Sequence, residues 1–199
     1  MTLANLAGGT KRGPLPSVIL VTDETRLSDP TAAMMALPPG SAVLLRHYGA
    51  PDRAGLARRL ATLARRRRLA LIVAGADWRL AASVGAAGVH LPEGLARSLA
   101  DPGLRLWLRG GHLLSVACHR PAALARAAAL GADMALLSPV FPTASHPGAA
   151  TIGPLRFALW AGRAALPVLA LGGVTPRTAR ALRGHAGWAA IGGLTRAGR

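Results

Sequence analysis

The chain has 199 residues, with 24 lysines and arginines against 8 aspartates and glutamates, for a formal net charge of +16. This length fits one domain that buries about 70% of its unfolded surface and needs no disulfide or metal to fold. The single cysteine, Cys118, excludes an intrachain disulfide. Because the sequence has no signal peptide and no apolar run of about 18 residues, we expect a cytoplasmic protein with no membrane partner.

The high positive charge raises nucleic acid as a partner, since basic side chains release counterions from phosphates. However, Lys11 is the only lysine, and the arginines are spread over helical stretches apart from the run 65–68. That run is typical of a solvated helix end, with a binding patch as the alternative. The sequence therefore does not favour nucleic acid as a partner.

Short apolar runs alternate with helical stretches along the chain, which is the pattern of a parallel α/β protein. The predicted strands are 18–22, 42–46, 69–73, 88–91, 113–117, 134–138, 168–171 and 189–191. Eight strands at about 25 residues per unit predict a compact (β/α)8 TIM barrel. An open doubly wound sheet is the alternative. Residues 1–17 are expected to form a flexible extension and residues 18–199 a single barrel.

Helix starts and stops are marked between these strands. Starts are expected at Pro51-Asp52, Asp77, Pro121 and Thr175-Pro176, and stops at Gly85, Gly131 and Gly184. After the eighth strand only residues 195–199 remain, too few for a full final helix. A homo-oligomer would cover the uncovered side of the barrel.

Reactive residues of such a barrel follow the strands at one rim. The residues at these positions are Asp23, Arg46, His47, His90, Cys118, His119, Ser145 and His146. Cys118 has no feature that would activate a nucleophile. His90 is expected to hydrogen-bond within the rim, and His112 and His185 to lie on the surface.

Two pairs of glycines give the sharpest signal. Gly172-Gly173 and Gly192-Gly193 end the seventh and eighth strands, where backbone amides form the usual phosphate site of such barrels. Tight turns are the alternative explanation. The polar loop at 138–148 carries Thr143, Ser145 and His146 between prolines. Such a loop is suited to binding a phosphate or to forming a lid.

A family resemblance rests on three segments: PVFPT at 139–143, GAAGVHL at 85–91 and LALGGV at 169–174. In order and spacing they resemble the thiamine phosphate synthase/TenI family over about residues 18–194. The resemblance implies a barrel that binds thiazole phosphate. Synthases join it to a pyrimidine pyrophosphate with Mg²⁺, whereas TenI-like members tautomerise and so aromatise it.

The sequence departs from the synthase pattern where metal and pyrophosphate would bind. Residues 74–76 read Ala-Gly-Ala where synthases resemble Asn-Asp-Arg, and Tyr48 and Ser145-His146 stand at the places of two lysines. Asp77 and Glu93 are the possible substitute metal ligands. A tautomerase needs no cofactor, only a proton shuttle and a phosphate grip.

The leading hypothesis is therefore a thiazole tautomerase. His119 matches the acid/base histidine of the TenI-like branch, and imidazole exchanges protons near neutral pH. Arg46, Thr143, Ser145, His146 and the four glycines would bind the phosphorylated substrate. The alternatives are an active Mg²⁺-dependent synthase with substitute ligands, a ligand-sensing or nucleic-acid-associated regulator without catalysis, and another phosphosugar or indole-phosphate barrel.

Overall fold

A computed structural model describes residues 14–97, 99–144, 148, 150–182, 184 and 187–191. Its eight strands are all parallel and are hydrogen-bonded in chain order, and the last pairs with the first, so the sheet closes into a barrel. The strands are β1 Val18–Val21, β2 Ala42–Leu45, β3 Ala70–Ala74, β4 Gly88–Leu91, β5 Leu113–Cys118, β6 Met134–Leu137, β7 Val168–Ala170 and β8 Trp188–Ala190. The predicted TIM barrel is confirmed, and the open-sheet alternative is wrong.

Six α-helices lie between the strands. They are α1 Thr31–Met35, α2 Arg53–Arg67, α3 Trp78–Ser83, α4 Pro102–Arg109, α5 Pro121–Ala129 and α6 Pro154–Arg163. Three of the predicted starts are confirmed: Asp52 caps α2, Asp77 caps α3, and Pro121 is the first residue of α5. These helices occupy the outer layer that a (β/α)8 barrel requires.

The predicted α-helix after Thr175-Pro176 is wrong. A 3-10 helix, Thr178–Leu182, stands between β7 and β8 instead. Thr175 and Thr178 form a local turn in which the Thr178 hydroxyl accepts from the Thr175 amide at 2.8 Å and donates to the Gly173 carbonyl at 3.1 Å. The prediction that the barrel lacks a full final helix concerns residues that lie outside the described part of the chain, 192–199.

Alternate residues along the strands build two separate apolar cores, as expected for a sheet covered on both faces. One core fills the barrel and includes Ile19, Leu44, Ile72, Met134 and Leu169. The other lies between the strands and the helices. This alternation decides which rim side chains turn toward the barrel mouth.

The lower end of the barrel is closed by residues that precede β1. Leu15 packs against the core inside the barrel, and the Trp188 amide donates to the Ser17 carbonyl at 2.9 Å. Leu15 and Ser17 thus contact the barrel, residues 1–13 lie outside the described residues, and the flexible extension over residues 1–17 stays a prediction. Within the described residues, no helix combines the length and apolar character needed to cross a membrane.

Candidate active site

His119 lies at the mouth of the barrel, one residue after β5. Its side chain is exposed, and its Nδ1 lies 2.7 Å from the carbonyl oxygen of Ser138 at the end of the neighbouring strand β6. A carbonyl oxygen only accepts, so Nδ1 carries the hydrogen and donates. The neutral ring therefore presents Nε2 as its basic nitrogen, because a bond at one ring nitrogen fixes the tautomer at the other.

The first glycine pair is packed directly against the loop that follows β6. Gly172 and Gly173 have φ angles of 89° and 62°, a left-handed conformation that favours glycine. A Cβ on Gly172 would lie 2.8 Å from the Cα of Pro139, and one on Gly173 would lie 2.3 Å from the Pro142 carbonyl oxygen. These glycines thus have a structural reason to be present, whether or not an anion binds.

The same glycine pair leaves backbone amides available at the rim. The Phe141 amide donates to the Gly172 carbonyl at 3.0 Å, whereas the amides of Gly172 and Gly173 donate to no acceptor in the described part of the chain. Thr143 follows in this loop and is half-buried. The 3-10 helix beyond the glycines, Thr178–Leu182, is too short to supply a helix dipole.

Arg46 and Asp23 form an ion pair at the ends of β2 and β1. Asp23 also accepts from the Arg26 guanidinium at 2.9 Å and from the Thr25 and Arg26 amides. The Arg26 hydrogen bond, above all, holds the pKa of Asp23 far below its usual range. Asp23 is thus a permanent anion that orients Arg46, and it is not suited to proton transfer.

His47 is buried beside this pair and turns away from the mouth. The Thr22 hydroxyl accepts from the Arg46 amide at 3.0 Å and lies 2.7 Å from His47 Nδ1. His47 therefore helps to fix the end of β2 behind Arg46. This position does not favour the direct ligand contact considered for it.

His90 and Ser115 face each other inside the barrel at paired positions of β4 and β5. Their Nδ1 and Oγ atoms are 2.9 Å apart, and both residues are buried. Burial, with a smaller contribution from the Arg46 charge, lowers the pKa of His90 to about 4. His90 thus makes the hydrogen bond expected of it, inside the barrel near the end of β4. It is neutral near pH 7.

Cys118 is buried on the helix side of β5, opposite in direction to His119. Burial, and next the Glu93 charge, raises the pKa of its thiol to about 12. Since the thiolate is the reactive form, a thiol-exchange reagent should label Cys118 more than tenfold more slowly in the native protein than in urea. The chain has no second cysteine. Equal rates in both conditions would contradict the burial of this thiol.

The carboxylates do not fit a Mg²⁺ site. The chain has eight, all within the described residues: Asp23, Glu24, Asp29, Asp52, Asp77, Glu93, Asp101 and Asp133. Each accepts at least one backbone N–H.

The two possible substitute ligands are also neutralised by arginines. Asp77 caps α3 and pairs with Arg53 at 2.8 Å, and Glu93 pairs with Arg126 at 3.0 Å. Mg²⁺ is usually bound by one or two carboxylates together with substrate phosphates, and here an arginine already pairs with one oxygen of each of these two carboxylates. No group of three metal-ligating side chains occurs among the described residues either.

The structure brings together part of the site predicted from the sequence. His119, Thr143, Gly172 and Gly173 lie on the consecutive strand ends of β5, β6 and β7, and Arg46 lies at the end of β2. Ser145, His146, Gly192 and Gly193 fall outside the described residues, as does His185. His112, expected at the surface, is half-buried at the opposite end of β5, where it stacks on Trp107 at 3.8 Å.

Two residues of this region were not selected from the sequence. They are Ser138, whose backbone carbonyl orients His119, and Ser115 inside the barrel. Ser115 is a lone polar residue within an apolar strand, and that signal was available. The sequence could not indicate the role of the Ser138 carbonyl, because every residue type has a backbone carbonyl.

A closed eight-stranded parallel barrel with polar side chains at the carboxyl ends of its strands defines a TIM-barrel protein. The family model described as "Thiamine monophosphate synthase" matches residues 18–194. The chain belongs to this family.

Relatives with curated names agree with this assignment. The chain is 33% identical over 174 residues to a thiamine-phosphate synthase of Thiobacillus denitrificans, covering 87% of this chain and 77% of the relative. It is also 33% identical over 106 residues to a putative thiamine-phosphate synthase 2 of Aquifex aeolicus, covering 53% and 55% of the two chains.

Solved structures confirm the fold. A thiamine phosphate pyrophosphorylase from Pyrococcus furiosus superposes with a TM-score of 0.70 at 23% identity, covering 88% of this chain and 85% of that one. A 3-keto-L-gulonate-6-phosphate decarboxylase from Vibrio cholerae gives a TM-score of 0.62 at 12% identity, covering 89% and 87%. At these identities the likeness concerns the barrel alone.

Proposed function

We propose that this chain is a thiazole tautomerase: it binds thiazole phosphate at the carboxyl ends of its strands and moves a proton so that the thiazole ring becomes aromatic. The observation that carries the proposal is the hydrogen bond from His119 Nδ1 to the Ser138 carbonyl. It leaves Nε2 as the nitrogen that takes a proton from the saturated ring carbon of the non-aromatic tautomer and returns it to a carbon outside the ring.

The phosphate group of the substrate would bind beside this histidine. Gly172 and Gly173 offer backbone amides one strand beyond Ser138, and amides of this kind bind anions in many barrels. Thr143 adds a hydroxyl from the loop packed against the glycines. Ser145, His146, Gly192 and Gly193 belong to the same proposal on sequence grounds.

Arg46 would supply positive charge on the other side of the mouth. Its guanidinium is held by Asp23, so its position is fixed before the substrate binds. A preorganised cation stabilises developing negative charge without reorganisation during the reaction. Tautomerisation passes through such an anion when the substrate has lost the proton of its ring carbon and has not yet gained one outside the ring.

The commitment of Asp77 and Glu93 to arginines supports the tautomerase over the synthase. No step of the proposed reaction uses a metal. The relatives named thiamine-phosphate synthase favour the second candidate, an active Mg²⁺-dependent synthase.

Two assays on the purified full chain separate these candidates. The first follows aromatisation of the non-aromatic thiazole phosphate tautomer by NMR in the presence of EDTA. The second follows formation of thiamine phosphate from aromatic thiazole phosphate and the pyrimidine pyrophosphate with Mg²⁺. We expect conversion in the first assay, at a rate that added Mg²⁺ leaves unchanged, and none in the second. Product in the second assay alone would replace the proposal with the synthase, and product in neither would overturn both.

A further inference from the structure

Glu93 lies between three elements of the rim. It follows β4, and its side chain is only 14% exposed. Its Oε2 accepts from the backbone amide of His119 at 3.2 Å, while its Oε1 accepts from Arg126 on α5 at 3.0 Å. Arg120 adds a second ion pair at 3.4 Å. One carboxylate thus joins the end of β4 to the loop and the helix that follow β5.

These contacts fix the backbone of His119, whereas the hydrogen bond to the Ser138 carbonyl fixes its ring. A bond to Nδ1 alone leaves the main chain free to shift, and a bond to the amide alone leaves the ring free to rotate. The two together define both the position and the orientation of the imidazole. The two arginines, in turn, hold the carboxylate itself in place.

We propose that Glu93 is a positioning residue for His119, acting through the His119 backbone amide and held there by Arg120 and Arg126. The inference rests on the proposed function for its effect on catalysis. Its structural part, that Glu93 holds the His119 backbone where the ring can keep its hydrogen bond to the Ser138 carbonyl, does not depend on which substrate is bound.

The kinetic test uses Glu93→Ala in the full-length protein. We expect kcat for tautomerisation to fall about tenfold with KM changed less than threefold, since a misplaced catalytic group slows the reaction step and not the phosphate contacts. Glu93→Gln keeps an oxygen that accepts from His119 and should recover part of this loss. Asp101→Asn, a carboxylate-to-amide change at the cap of α4, should leave kcat unchanged.

A double-mutant cycle shows whether the effect passes through His119. If it does, Glu93→Ala/His119→Ala should be no slower than His119→Ala alone. Equal slowing by Glu93→Ala with and without His119 would overturn the proposal, because Glu93 would then act elsewhere. Unchanged kcat in Glu93→Ala would overturn it as well.

A spectroscopic test is independent of activity. Long-range ¹H–¹⁵N spectra of the histidine rings should show His119 as the Nδ1–H tautomer in the wild-type protein and as a tautomer mixture in Glu93→Ala, with thermal unfolding confirming that both are folded. An unchanged His119 spectrum would overturn the proposal. If the wild-type chain does not convert the thiazole phosphate tautomer, the proposed function fails, but the spectra still decide the role of Glu93.

Discussion

Replacing His119 by alanine should lower kcat for thiazole phosphate tautomerisation by about 10²–10⁴-fold, the usual contribution of a positioned acid/base. Among the described rim residues, the His119 ring is the exposed group whose basic nitrogen is set by a neighbouring hydrogen bond. Initial rates measured by NMR from the loss of the non-aromatic tautomer, at saturating substrate, give the comparison directly.

The matched control is His112→Ala, which removes a histidine from the opposite end of the same strand. His112 stacks on Trp107 far from the mouth and has no contact with the described rim residues. This variant should keep wild-type kcat. Binding of the aromatic thiazole phosphate, measured by calorimetry, should change less than threefold in His119→Ala, because the glycines and Arg46 remain. Full activity in His119→Ala would remove the acid/base role proposed here.

The strands were predictable because a parallel barrel buries both faces of every strand. Each strand then appears as a continuous apolar run, and the predicted bounds differ from the observed ones by about one residue. A continuous apolar run shows no alternation, so the sequence did not indicate which residues at the strand ends turn into the barrel and which turn toward the helices. Cys118 and His119 are neighbours in sequence, yet one packs under a helix and the other enters the mouth.

Helix starts and ion pairs were harder to predict from the sequence than strands. α4 begins with Asp101-Pro102, the same cap and first-turn signal that marked other helices, but its start was not selected. The pairing of Glu93 with Arg126 was inaccessible for a different reason. The two residues are 33 positions apart, and they meet only because β4 and β5 are adjacent and α5 contacts the 3-10 helix Leu95–Arg97 that follows β4. Glu93, which the sequence offered as a possible metal ligand, therefore forms an ion pair with Arg126 in the fold.

His90 should make the stability of the folded protein depend on pH between about 4 and 6.5. In the folded state its pKa is about 4, because the imidazole is buried between strands and faces the Arg46 charge. In the unfolded chain an exposed histidine has a pKa of about 6.5. Between these values the unfolded state binds a proton that the native state does not, so the free energy of unfolding falls as the pH is lowered.

The expected loss approaches about 3 kcal/mol by pH 4, at no more than about 1.4 kcal/mol per pH unit. Urea unfolding at pH 7, 6, 5 and 4.5 measures it. His90→Gln retains a polar group for Ser115 and removes the titration, so its stability should decline less steeply over this range. Asp23 and Asp101, whose pKa values are lowered in the fold, lose their stabilising contribution only below about pH 4. Identical slopes for the wild-type protein and His90→Gln above pH 4.5 would show that the buried imidazole is not the group that titrates.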